Sequence, residues 1–153
     1  MLKQENGYGC GLYSVANALN MPEFVTEDRL EKSRDGNNQM QLNKWLLDDG
    51  CDFQIMPMYF KNHVQFRTPK LTITTTEDLC FYPALVVVAL KRCPKNHMFA
   101  LSIYKDFTLH VLDSCEAEPE YFLSWDCFRK KYTQVISIDV FRTFNNKEVV
   151  FCT

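Results

Sequence analysis

Four residues of this chain are of types that can act together on a carbonyl: Gln4, Cys10, His97 and Asp113. Cys10 sits in Gln4-Glu5-Asn6-Gly7-Tyr8-Gly9-Cys10-Gly11, and the run Leu12-Tyr13-Ser14-Val15-Ala16-Asn17-Ala18-Leu19 that follows reads as a helix. The thiolate is the reactive form of cysteine, and the unpaired N–H groups and partial positive charge of a helix N-terminus favour that anion. Three of the five glycines, Gly7, Gly9 and Gly11, flank the thiol, where they let the backbone turn and a substrate carbonyl come close to the main chain. Cys10 is therefore a candidate nucleophile; the plainer reading is a buried helical cysteine.

His97 and Asp113 bracket two strand-like segments joined around Tyr104-Lys105-Asp106. If Ile103 faces Phe107, antiparallel pairing sets His97 opposite Asp113, on the face that carries Phe99, Leu101, Leu109 and Val111. His110 then points the other way, and a slip of one residue would separate the pair. Taken singly, His97 is a surface residue at a strand start and Asp113 a turn former before Ser114.

Taken together, a thiol, a base and a carboxylate that orients the base are what nucleophilic catalysis by cysteine requires. Cys10 would attack a carbonyl carbon. His97 would hold the thiol proton as imidazolium and then release it to the leaving amine, while Asp113 fixes the ring tautomer. The Gln4 side-chain amide, with the Cys10 backbone N–H, would donate to the oxyanion of the tetrahedral intermediate. Its alternative is an ordinary solvated residue near a terminus.

The elements that must position these residues are helical first and sheet-like afterwards. Thr26 caps an expected helix over 27–32, residues 34–38 read as a turn, and a helix over 40–48 sets Leu42, Trp45 and Leu46 at helical spacing before Gly50. Strands are expected over 52–56, 71–75, 85–91, 97–104, 107–114, 134–141 and 148–151, with Ser124 capping a short helix over 125–131. No repeat, low-complexity segment or linker divides residues 1–153, so the expectation is one α+β domain.

Composition narrows the partners. The net charge is −2, with 46% apolar and 14% aromatic residues, so the chain has the makings of a core and no basic footprint for nucleic acid. The most apolar run, residues 84–90, is too short to cross a bilayer, and no signal peptide is legible. Seven cysteines, odd in number and without a C-x-x-C pair, suit a reducing compartment, and the expected location is the cytosol. The spacing argues against structural zinc: Cys93-Pro94-Lys95-Asn96-His97 is half a site without a second half. No metal or cofactor is expected, and the expected partner is a protein or peptide substrate.

Gln4 six positions before Cys10, Cys10-Gly11 opening a helix, His97 at a strand start and Asp113 sixteen residues later resemble the papain-like cysteine peptidases. Within these, the chain is most similar to the double-glycine leader peptidases that process bacteriocin precursors. The resemblance implies a papain-like fold, with an N-terminal nucleophile helix and further helices packed on a C-terminal antiparallel sheet. It also implies Cys10 as nucleophile, His97 as base, Asp113 as orienting acid and Gln4 as oxyanion donor. Gly9 departs from it, since those peptidases usually have an acidic residue before the nucleophile; so does the absence of a transporter domain. A domain of this kind, standing free, would be a cytosolic or virus-encoded processing enzyme. The same thioester would serve deamidation or transglutamination. A silent papain-like fold acting as a binding or structural module is the reading from another class, and a thiol sensor resolved by Cys115 is a third.

Overall fold

The run Ala84–Leu90 is apolar at every position because both of its faces are covered and both of its edges are paired. In the computed structural model, which describes residues 1–60, 84–92, 94–145 and 150, all seven of these residues are buried. They form strand β2 of a six-stranded antiparallel sheet. The other strands are β1 (Phe53–Phe60), β3 (His97–Ile103), β4 (Leu109–Leu112), β5 (Glu120–Phe122) and β6 (Val135–Thr143), in the spatial order β1-β6-β2-β3-β4-β5. Helices α1 (Cys10–Leu19), α2 (Glu27–Glu31) and α3 (Gln39–Asp48) precede the sheet, and α4 (Trp125–Lys131) lies between β5 and β6. The class is α+β, N-terminal helices packed on an antiparallel sheet.

Alternation along the strands divides the core into two layers. Leu12, Val15 and Ala16 of α1 with Leu42, Trp45 and Leu46 of α3 cover the face that presents Leu85, Val87, Ala100 and Phe141. Trp125 and Phe128 of α4 cover the other face, against Val86, Val88, Phe99, Leu101, Leu109, Val111, Ile138 and Val140. Local signals set the helix starts. The side-chain oxygens of Thr26 and Ser124 accept from the N–H groups of Arg29 at 3.2 Å and Cys127 at 3.3 Å, as their sequence positions suggest. Asn38, expected within a turn, instead caps α3 by accepting from Gln41 N–H at 2.8 Å, so that helix begins at Gln39. Gly50 takes a left-handed φ of 76° just past its end.

The strands depart from expectation where turns consume residues. Tyr104 N–H donates to Thr108 O, Phe107 adopts a φ of 65°, and Asp106 Oδ1 accepts from Thr108 N–H at 3.0 Å and Thr108 Oγ1 at 2.7 Å. The β3–β4 turn therefore spans 104–108, and Ile103 pairs with Leu109 rather than with Phe107. The register is shifted by two. A shift of two, unlike one, preserves every face assignment. β5, only three residues long, gave no periodic signal. The strand expected over 71–75 lies outside the described residues. Of that over 148–151 only Val150 is described, its N–H bonded to Phe141 O and its carbonyl to Leu85 N–H. No described helix is long and apolar enough to cross a membrane.

Candidate active site

Cys10 is the first residue of α1, and three neighbours fix it there. Gly9, at φ 89°, supplies the left-handed turn into the helix but has no side chain to cap it. That cap comes from Asn37, whose Oδ1 accepts from Leu12 N–H at 3.0 Å while its Nδ2 donates to Ser33 Oγ and Gln41 Oε1. Gly11 leaves the room for this approach: a Cβ there would lie 2.8 Å from Asn37 Cβ and 3.1 Å from Met98 Sδ.

The N-terminal segment is tied down on both sides. Asn17, in the last turn of α1, accepts from Leu2 N–H at 2.7 Å and donates to Leu2 O at 3.0 Å. Gln4 N–H donates to Ser114 O at 2.9 Å, which fastens the segment to the chain just past β4. The Gln4 side chain is oriented in turn, with Oε1 accepting from Ser114 Oγ at 3.1 Å and Nε2 donating to Asn6 O at 2.6 Å. An amide nitrogen carries two hydrogens, so one remains available on the cleft wall that Gln4 shares with Cys10.

His97 begins β3 and Asp113 follows β4, both buried. Despite the shifted register they meet, His97 Nε2 lying 2.8 Å from Asp113 Oδ1, because a two-residue shift makes them diagonal neighbours on one face. Asp113 Oδ1 also accepts from Cys115 N–H at 3.0 Å, so the carboxylate is fixed by backbone as well. With Nε2 engaged, Nδ1 is the ring nitrogen left for the Cys10 thiol, and each of the two groups shifts the ionisation of the other. His110 points away, packed between Tyr104 and Tyr121 with ring centroids 4.2 and 4.4 Å distant.

The electrostatics follow from this contact set. Burial works against ionisation of Cys10, but hydrogen bonds from His97 and the Met98 backbone, with the His97 charge, outweigh it and lower the thiol pKa. Burial likewise disfavours the His97 cation, yet Asp113 and the Cys10 sulfur overcome it and lift the imidazole to about 9. Asp113 is also desolvated, but its bonds to His97 and Cys115 hold it below the ordinary carboxylate range. All three shifts run in the direction of a thiolate, an imidazolium and a carboxylate in series.

A cleft of about 920 Å³ opens over these groups, lined by Gln4, Cys10, His97, Cys115 and, further across the sheet, Met98 and Asp139. The four residues singled out from sequence are thus brought together. Sequence reasoning missed Asn37 and Asn17, which look like turn and helix-surface residues until a partner 25 or 15 residues away is known. His97, Asp113 and Cys115 each bring a ligand-type atom within 4.8 Å of the others. A soft cation could bind there only by parting His97 Nε2 from Asp113 Oδ1, so the pair is better suited to handling a proton. Cys93, the other member of the half zinc motif, lies outside the described residues. No family model, no curated protein and no solved structure matches this chain.

Proposed function

We propose that this chain is a papain-like cysteine peptidase, cleaving a peptide or isopeptide bond through a thioester on Cys10. The observation that carries the reading is Cys10 at the first turn of a buried helix, sharing a cleft with a His97 whose Nε2 is held by Asp113 at 2.8 Å, with the thiol and imidazole pKa values moved in opposite directions. The thiolate attacks the carbonyl carbon, and the carbonyl π electrons move to oxygen. The Cys10 N–H and the second hydrogen of Gln4 Nε2 are the donors for that oxyanion. Collapse expels the amine, which takes the proton of His97; neutral His97 then deprotonates a water that attacks the thioester, and the acid product leaves with Cys10 restored. Asp113 keeps the ring oriented and favours its cationic form throughout.

The test is incubation with a proteome-derived peptide library, with new termini read by mass spectrometry in the parent and in Cys10→Ala. New termini in the parent alone are expected. Deamidated or cross-linked glutamines without new termini would move the assignment to another acyl acceptor. No product, together with alkylation of Cys10 no faster than of exposed Cys127, would overturn catalysis and leave a binding module.

A further inference from the structure

Two acids that the chemistry above does not use line the cleft, exposed Asp35 at its rim and Asp139 on its floor. Asp139 lies on β6, where it pairs with Val87 of β2, itself paired with Ala100 of β3. Val87 and Ala100 face the α1 side of the sheet, so Asp139 faces that side too. The row beside it, Ser137–Ala89–Met98, runs under the same cleft and ends at the residue whose backbone favours ionisation of Cys10. Two strand spacings of about 4.8 Å across and two residues of about 3.3 Å along put the Asp139 and Met98 backbones roughly 12 Å apart. An extended peptide covers that distance in about three residues, and a lysine or arginine side chain shortens it further.

The Asp139 side chain is half-buried, its open edge on the cleft, while its carboxyl is packed closely enough that burial lifts its pKa to about 6. Among the described residues no hydrogen bond or ion pair reaches it. A desolvated carboxylate without a partner is costly to a fold unless a ligand supplies the partner. Apart from the Cys10–His97 pair, the charged side chains lining the cleft, Arg34, Asp35, Arg92 and Lys95, are exposed and screened by water, and Arg34 is already paired with Glu31 at 2.8 Å. The floor acid therefore dominates where water is excluded.

We propose that Asp139 is a specificity residue, and that it receives a lysine or arginine side chain of the substrate two or three residues from the bond to be cut. This rests on the peptidase reading for what happens next, but not for the binding itself. Accordingly, binding is measured on Cys10→Ala, using acetylated octapeptides that carry one lysine, or its uncharged isostere norleucine, at successive positions. The lysine peptide of the right register is expected to bind at least about tenfold tighter than its norleucine twin, and Asp139→Asn on the Cys10→Ala background to erase the difference without lowering the melting temperature. Asp139→Lys should reverse the preference toward glutamate at that position. Equal affinity for lysine and norleucine, or a preference for acidic peptides set by the rim, would overturn the proposal. Charge-selective binding without cleavage by the parent would instead defeat the peptidase reading and leave this site standing; cleavage indifferent to charge would do the reverse.

Discussion

Asn37 Oδ1 accepts a hydrogen bond from Leu12 N–H at 3.0 Å, so the helix that begins with Cys10 is capped by a residue of another element. The contact exists because Gly9 brings no side chain and Gly11 no Cβ. Asn37→Ala is expected to cost about 1 kcal/mol, as for other lost caps, and to slow alkylation of Cys10 at pH 7. Gly11→Ala is expected to cost about 1–3 kcal/mol, because the Asn37 side chain and Met98 sulfur must move together. Urea unfolding and peptide-resolved alkylation read both effects.

His97→Ala should do more than abolish activation. Burial is the largest influence on Cys10, and without the imidazole only the Met98 and Gly11 backbones oppose it. In the variant, Cys10 should alkylate more slowly than exposed Cys127 at any pH from 6 to 9, reversing the order in the parent. An unchanged order would disprove the thiolate–imidazolium pair. In the parent, activity should hold through neutral pH and fall as His97 deprotonates near about 9.

The Asp113→Asn substitution separates charge from shape, since the amide is nearly isosteric. The folded value of His97, about 9, lies above the ordinary 6.5, so stability from its protonated form is complete below 6.5 and is lost as pH rises through 9. Asp113 is depressed from 3.8, so its contribution is present above 3.8 and lost as pH falls further. The stability gap between parent and Asp113→Asn should thus be widest between those ordinary values and narrow toward pH 9. Thermal unfolding across pH 3 to 10 checks it, and a gap independent of pH would assign Asp113 a purely geometric part.

Gln4 can be told apart from the residues that ready the nucleophile. Gln4→Ala should lower kcat on the order of a hundredfold while leaving Cys10 alkylation nearly as fast as in the parent, because alkylation builds no oxyanion. Equal losses in both would mean that Gln4 serves only to hold the N-terminal segment against Ser114.

Much of this arrangement was legible in the chain. Alternation placed His97 and Asp113 on one face, and the capping hydroxyls of Thr26 and Ser124 marked two helix starts. The β3–β4 register was not legible, because Phe107 in a left-handed conformation and the Asp106 side chain extend the turn to five residues, and neither announces itself as Gly or Pro would. The pairing survived only because the error was an even number. Asn37, Asn17 and Ser114 escaped notice for another reason: each acts on backbone far away in sequence, where spacing carries no signal. Asp139 sits mid-strand among apolar neighbours, and only the cleft above it gives it a meaning.

The Gly9–Cys10 turn has a consequence for the chain's biogenesis. Cys10 leaves the ribosome before His97 and Asp113, the proposed activating histidine and its orienting carboxylate, which follow it by 87 and 103 residues. Until β3 docks beneath the helix, the thiol is an ordinary one, so a nascent or misfolded copy is chemically quiet toward its neighbours. On the proposed reading, reactivity of this one sulfur is in effect a certificate of completed folding, issued only when segments about ninety residues apart have met.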